Sequence, residues 1–200
     1  MGGRGASSAG VIRAGRNYSW IDGTDKVARQ TGLTPDEVAK LGGVEALPGA
    51  KVYVGKSFGQ YQISVYHPHL ETPLVRTMYK DSKGRWTLEN EQFFKKASAP
   101  AGLGAKVVYA QAKALRSVGG VTMRINAVRW KNANGYYTWA RVGYNARVTG
   151  PRGESTDLHT LMKTAEGRAW WKANGRTTDM TFDVRANSPH MKALKEYMRK

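Results

Sequence analysis

The chain has 200 residues, 40% of them hydrophobic, and this size fits one globular domain with short additions. It has no Cys, which excludes disulfides, thiolate metal ligands and a cysteine nucleophile. It also shows no apolar run long enough to cross a membrane and no signal-peptide pattern, so we expect neither a membrane protein nor a signal-directed secreted one. The excess of 32 Lys and Arg over 15 Asp and Glu gives a formal net charge of +17 at pH 7, which predicts attraction to polyanions.

The first 48 residues are predicted to form an arm and a helical appendage. Residues 1–15 are rich in Gly, Ala and Ser without periodicity, which indicates a flexible arm. Residues 16–48 contain two short helix patterns, the first starting at Thr24 and ending at Gly32, the second starting at Thr34 and Pro35. We expect the two helices to pack by their apolar residues.

Residues 49–94 have the composition of an antiparallel meander. Turn residues at 81–84 separate the last two of four stretches that are rich in β-branched and aromatic side chains. The predicted strands are residues 51–54, 60–66, 74–79 and 85–94.

A strand–helix–strand unit is predicted next, centred on residues 90–128. Apolar residues recur at helical spacing over residues 104–118, and Gly119 and Gly120 end that helix. Apolar and polar residues then alternate over residues 121–127, which is typical of a strand.

The last part of the chain, residues 149–200, predicts a helical extension. A helix is expected over residues 157–172 and a short strand at 180–184. Ser188 and Pro189 then start a final helix.

The junction at residues 99–106 (APAGLGAK) carries the features of an anion site. Glycines allow a ligand to approach the backbone, and the free N–H groups of a first helical turn favour phosphate. Lys106 adds a positive charge. The tight turn before a packed helix is the structural alternative.

The surrounding span is strongly basic. No acidic residue lies between Glu91 and Glu154. The same span contains the positive residues Lys95, Lys96, Lys106, Lys113, Arg116, Arg124, Arg129, Lys131, Arg141, Arg147 and Arg152. Such a field serves a cofactor, a polyanion or simply solubility.

Three segments in residues 50–148 share a recognisable order. ENEQFF (residues 89–94) precedes GLG (102–104), and NGYYTWARVGY (134–144) follows the next strand. This order resembles the GNAT superfamily of N-acetyltransferases, in a bacterial and phage-associated branch. The resemblance implies acetyl-CoA as cofactor and transfer of an acetyl group to an amine, whose identity is left open.

The resemblance also implies which residues hold the cofactor. The family's Gln/Arg-x-x-Gly-x-Gly/Ala loop binds the pyrophosphate of acetyl-CoA. The matching residues here are Ala101, Gly102, Leu103, Gly104, Ala105 and Lys106. Ala99 stands where the family has Gln or Arg, which weakens the expected cradle.

A general acid and a general base are needed for the transfer. The family's acid is a Tyr at a position that holds Trp139 here, so Tyr136 or Tyr137 is the candidate replacement, with packing in the core as the alternative for both. Glu89 and Glu91 lie on one face of the predicted strand before the loop, and either is a candidate base. The alternative is that both acids only balance basic neighbours.

We therefore expect an α+β, GNAT-like mixed sheet over residues 49–148, with its antiparallel meander, central strand–loop–helix–strand unit, N-terminal helical appendage and C-terminal extension. The competing hypothesis is a catalytically inactive phage structural or nucleic-acid-associated protein that binds nucleic acid weakly through its basic surface, with a phage virion or host protein as partner. Both hypotheses place the protein in the cytoplasm of a host cell or in a virion. His67 and His69 lack further ligands at metal-site spacing, so no metal is expected.

Overall fold

The computed structural model describes residues 13–14, 18–20, 24–131 and 133–200, and these form a mixed α+β fold. The strands in chain order are β1 (Arg13–Ala14), β2 (Tyr18–Trp20), β3 (Ala50–Ser57), β4 (Gln60–Tyr66), β5 (Leu74–Lys80), β6 (Trp86–Gln92), β7 (Thr122–Ala127), β8 (Arg129–Trp130), β9 (Ala133–Asn134), β10 (Arg147–Thr149), β11 (Ser155–Asp157) and β12 (Thr178–Asp183). The helices are α1 (Thr24–Thr31), α2 (Pro35–Leu41), α3 (Leu103–Ser117), α4 (Gly135–Arg141), α5 (Leu158–Leu161), α6 (Ala165–Asn174) and α7 (Pro189–Met198), with a 3-10 helix at Val44–Ala46.

One sheet of eight strands organises the molecule, in the order β1-β2-β3-β4-β5-β6-β7-β12. Strands β3, β4, β5 and β6 pair antiparallel with one another in this order, which confirms the predicted meander, whereas β2 pairs in parallel with β3. Helix α3 connects β6 to β7, and these two strands pair in parallel. Their carboxyl ends therefore lie at the same end of the sheet, next to the loop that leads into α3.

Strand β6 contains a bulge close to that end. Val75 pairs with Gln92 and Arg76 pairs with Asn90, so Glu91 is the additional residue. The parallel ladder between β6 and β7 also stops there, at the pair Asn90 and Ile125. Beyond this pair the two strands separate.

The helices cover one face of the sheet. A Cβ atom at Gly42, just after α2, would lie 2.7 Å from Val65 Cγ2, and one at Gly43 would lie 2.9 Å from Val107 Cγ1 of α3. Such close approach requires Gly at both positions. Side chains that point away from the helices, such as Tyr53, Tyr66 and Arg124, are exposed.

A single hydrophobic core includes residues from the predicted N-terminal appendage, from the meander and from the C-terminal extension. Val38 of α2 and Leu194 of α7 are both fully buried in it. Helix α2 begins at the predicted place because Thr34 and Glu37 form a capping box. Helix α7 begins at Pro189 because the Ser188 hydroxyl accepts a hydrogen bond from the Met191 N–H at 3.1 Å.

The helix predicted over residues 157–172 is instead two helices, α5 and α6. Thr164 lies between them with an extended backbone, and its hydroxyl accepts the Gly167 N–H at 2.9 Å. A Cβ atom at Gly167 would lie 1.9 Å from the Leu161 carbonyl oxygen, so the chain turns back tightly on α5. A local cap overrides the continuous helical pattern.

The predicted flexible arm lies outside the described residues, except for Arg13–Ala14 in β1. Among the residues that are described, no helix is both long and apolar enough to cross a membrane.

Candidate functional site

The loop between β6 and α3 is held by its own backbone. Gly102 adopts a left-handed conformation with φ of 73°, which a Gly reaches without strain. The Leu103 N–H donates to the Pro100 carbonyl at 3.2 Å, and the Lys106 N–H donates to the Gly102 carbonyl at 3.1 Å. The Leu103 amide, one of the predicted cofactor donors, is therefore already used within the loop.

The other four amides of the predicted cradle, those of Ala101, Gly102, Gly104 and Ala105, donate to no backbone carbonyl in the described part of the chain. Gly104 and Ala105 are the two that lie within α3. They belong to the first turn of a helix of 15 residues, where the helix dipole favours negative charge. Ala101, Gly102 and Lys106 are exposed beside them.

Aromatic side chains fill the space between this loop and α4. A Cβ atom at Gly104 would lie 3.5 Å from the Phe93 ring, and the Phe93 and Trp139 rings are 6.1 Å apart. Trp139 in turn contacts Tyr144, with ring centroids 5.2 Å apart. Trp139, at the position where the resemblance implies an acid, thus packs between the loop and the core.

The candidate bases Glu89 and Glu91 lie close together at the end of β6. Glu89 is half-buried, and its carboxyl pKa is raised, first by burial and then by the negative charge of Glu91. Tyr79 and Arg124 also interact with Glu89 from the neighbouring strands. Glu91 itself is exposed because the bulge carries it outward.

The two candidate acids on α4 face other partners. The Tyr136 hydroxyl donates to the Lys172 carbonyl oxygen at 2.6 Å, and its ring packs against Trp171. Tyr137 is half-buried against the core, with the Arg141 guanidinium 5.9 Å from its ring centre. The Tyr136 hydroxyl therefore serves the packing of α4 on α6.

Three polar side chains that the sequence reasoning did not select lie buried near the bulge. Arg76, Asn90 and Tyr144 are at most 1% exposed. The Asn90 amide Nδ2 donates to the Tyr144 hydroxyl across 54 positions of the chain. The signal that was available for Arg76 is alternation, because it falls between the inward residues Leu74 and Met78.

Two surface clefts lie away from the loop. One, of about 380 Å³, is lined by His67, Tyr66 and Glu71 among others, and the other, of about 410 Å³, lies beside Trp170 and Glu154. The His67 Nε2 is 3.0 Å from the Pro48 carbonyl. Across the described ranges, no group of three or more His, Asp or Glu is placed to hold a metal ion.

Helices α3 and α7 expose more basic than acidic side chains, with Glu196 the exposed acid among them. Helices α3 and α7 pack side by side. Their exposed cations form no ion pair with any described residue. These cations are Lys106, Lys113, Arg116, Lys192 and Lys195, and together with Arg199 just after α7 they are hereafter the α3–α7 basic face.

Comparison of the chain with protein-family models and with curated proteins found no match.

Proposed function

We propose that this chain binds an acyl-CoA and transfers its acyl group to an amine. The observation that carries the proposal is the pair of free amides of Gly104 and Ala105 at the start of α3, at the end of the sheet where β6 and β7 separate. Backbone N–H groups at a helix N-terminus bind phosphate without a dedicated side chain. Lys106 supplies a mobile charge beside them.

The proposed reaction is a direct attack on the thioester. The amine nitrogen bonds to the carbonyl carbon, the carbon–sulfur bond breaks, and the thiolate leaves and takes a proton from water. Glu89 accepts the proton of the attacking amine, and burial makes its carboxylate a stronger base than an exposed Glu. Because Glu89 points away from Asn90 on β6, the amine approaches from the face of the sheet that the helices leave open.

Calorimetric titration with acetyl-CoA tests the cofactor site. The Gly104→Glu variant places a carboxylate beside the two amides, and we expect its affinity to fall at least about tenfold, or about 1.4 kcal/mol. Gly104→Ala is the matched control, because its Cβ would make only an ordinary 3.5 Å contact with Phe93. Ala169→Glu adds the same charge at an exposed position of α6 and should leave the affinity unchanged.

The absence of saturable heat with the wild-type protein would contradict the proposal. Unchanged affinity in a folded Gly104→Glu variant would contradict the assigned site.

A second candidate function is binding of a nucleic-acid backbone without catalysis. It is favoured by the α3–α7 basic face, and by Trp139, whose indole is no useful acid at the position where the resemblance implies one. Gel-shift titration of duplex DNA at several salt concentrations tests it. Lys113→Glu and Arg116→Glu should each lower the salt slope by about 0.9 or more, whereas Lys172→Glu on α6 should not. No retardation at low salt would eliminate this function.

A further inference from the structure

A row of buried side chains crosses the helix-covered face of the sheet, and two polar residues stand in its middle. The register places these side chains opposite one another on successive strands, and each is at most 6% exposed. From β3 to β12 they are Val54, Ile63, Arg76, Asn90, Ile125 and Met180. Apolar side chains at the positions of Arg76 and Asn90 would complete the core, so the presence of two buried polar side chains there requires a functional or structural explanation.

The Arg76 guanidinium is satisfied on one side only. Its Nη1 donates to the Val75 carbonyl at 2.7 Å and to the Gln92 carbonyl at 2.9 Å, on either side of the bulge. Its Nε and Nη2 have no partner among the described residues. These two nitrogens form one edge of the planar guanidinium, and their N–H bonds are parallel, which is the geometry that binds both oxygens of a carboxylate.

The charge of Arg76 also has no carboxylate paired with it in the described structure, although the Phe93 ring faces it at 5.7 Å. Burial lowers its pKa to about 9, which still leaves the side chain protonated at neutral pH. Glu91 is the acidic residue that acts on it, but Glu91 is exposed and forms no ion pair with it in the described structure. A buried, unpaired positive charge is costly, and folded proteins usually pair such a group with an anion.

Asn90 and Tyr144 extend the set of unused polar atoms. The Asn90 Nδ2 donates to the Tyr144 oxygen, which leaves the Tyr144 O–H as a donor and the Asn90 Oδ1 without a partner in the described structure. If the amide is turned over, the Tyr144 O–H donates to Oδ1 and the Nδ2 group becomes the unused donor. In both orientations one unused donor remains on Asn90, the cross-strand neighbour of Arg76, or on its partner Tyr144.

We propose that Arg76, Asn90 and Tyr144 form a buried binding site for a carboxylate group. The free edge of Arg76 holds the two carboxylate oxygens, and the donor from Asn90 or Tyr144 holds one of them in addition. A carboxylate carries one negative charge and cancels that of Arg76, whereas a phosphate dianion would leave an unbalanced charge in the core.

The position of the site connects it to the proposed acyl-CoA function, on which the choice of ligand rests. The Phe93 ring lies 5.7 Å from the Arg76 guanidinium and next to Gly104 of the proposed cofactor loop. Phe93 is half-buried and Arg76 fully buried, so in this proposal a ligand that enters from the cofactor loop reaches Arg76 beside this ring. The carboxylate is therefore supplied by an acyl chain that ends in a carboxyl group, as in a dicarboxylic monothioester, or by the acceptor molecule.

Titration with succinyl-CoA and with acetyl-CoA separates these ligands. We expect the wild-type protein to bind succinyl-CoA at least tenfold more tightly than acetyl-CoA. Arg76→Met should lose this preference and keep its affinity for acetyl-CoA. Arg76→Lys keeps the charge but lacks the two-pronged edge and should also lose the preference. Arg176→Met is the control, because Arg176 is exposed on the connection before β12.

Free succinate, and glycine as an amino-acid acceptor, identify the source of the carboxylate. If either raises the melting temperature of the wild-type protein but not of Arg76→Met, while succinyl-CoA is not preferred over acetyl-CoA, a free acid or the acceptor supplies the group and the site stands. If succinate binds at Arg76 and no CoA compound binds, the site stands and the proposed transferase function fails. Equal affinity for the two thioesters, together with no response to succinate or glycine, overturns the proposal.

Discussion

The cluster between α4 and α6 and the cluster at the centre of the sheet each combine an arginine with a tyrosine, and they differ in how completely the polar atoms are used. In the cluster between α4 and α6, the Arg129 guanidinium donates to the carbonyls of Ala173 and Gly175 and lies over the Tyr136 ring. The Tyr136 hydroxyl and the Trp171 indole N–H also have acceptors. In the cluster at the centre of the sheet, Arg76 and Asn90 keep unused polar atoms.

The difference distinguishes buried polar groups that stabilise the packing of helices from buried polar groups that are left for a ligand. The α4–α6 cluster uses its polar atoms to fasten the end of a helix, so its removal should cost stability and nothing else. In the sheet cluster the unpaired buried groups lower the stability of the fold. Such groups are expected where a ligand supplies the missing hydrogen-bond partners.

Trp171→Ala should have the largest effect on stability. The side chain is 2% exposed and its Nε1 donates to the Tyr136 carbonyl at 3.0 Å, so we expect the free energy of unfolding to fall by about 3–5 kcal/mol. Trp130→Ala is the matched control, because Trp130 is 69% exposed on the β8–β9 hairpin, and we expect a change within about 0.5 kcal/mol. Urea denaturation measures both. Equal losses in the two variants would show that the α4–α6 cluster does not stabilise the fold.

Tyr136→Phe should lower the free energy of unfolding by about 1 kcal/mol, because the Lys172 carbonyl loses its donor. Affinity for acetyl-CoA should not change, and neither should acyl transfer, since this hydroxyl points towards α6. Urea denaturation and calorimetric titration of the same preparation check the two outcomes. A loss of transfer of about 10²-fold or more with unchanged stability would instead make Tyr136 the general acid.

The histidine pair His159 and His190 lies between these two clusters in how completely its polar atoms are paired. The rings are 4.5 Å apart, and His159 Nε2 is 2.7 Å from the Gly143 carbonyl, whereas His190 Nδ1 has no partner in the described structure. Burial, and then the charge of His159, lower the pKa of His190 to about 4, and burial also lowers the pKa of His159. The negative charge of Asp183 raises the pKa of His190 and so opposes this shift. Asp157 likewise raises the pKa of His159, whereas Lys163 lowers it further.

Protonation of this pair should therefore destabilise the fold. Because the folded protein takes up fewer protons than the unfolded chain between about pH 6.5 and 4, the free energy of unfolding should fall as the pH is lowered through that range. His190→Phe should reduce the slope, as measured by urea denaturation at a series of pH values. The lowered pKa of Asp183 adds its own loss only at lower pH. The same slope in wild type and variant would remove His190 from this role.

The sequence predicted the elements that depend on local patterns. The meander strands, α3 and β7 follow from hydrophobic spacing, and the starts of α2 and α7 follow from Thr34 and Ser188 as caps. The break between α5 and α6 was missed because the apolar spacing continues across Thr164. The free amides of Gly104 and Ala105 were anticipated, but the engaged amide of Leu103 was not, because the Pro100 carbonyl approaches it only in the folded loop.

The sheet cluster of Arg76, Asn90 and Tyr144 could not be predicted from local sequence patterns. The bulge at Glu91 shifts the register between β5 and β6, and no residue type in this stretch marks it. Tyr144 reaches Asn90 from a distant part of the chain, so only tertiary packing brings them together. Alternation places Arg76 inward, yet an Arg in a strand is ordinarily assigned to the solvent face.

The stability of Arg76→Met, with and without ligand, tests the difference between the two clusters most directly. In urea denaturation without ligand, the variant should be as stable as the wild type or more stable by about 1–4 kcal/mol, since an apolar side chain replaces a buried charge. With saturating succinyl-CoA the difference should shift in favour of the wild type by at least about 1.4 kcal/mol, because only the wild type gains the tenfold tighter binding of the carboxylate. A variant that is less stable than the wild type by the same amount in both conditions would contradict the account, and would make Arg76 a clamp on the Val75 and Gln92 carbonyls.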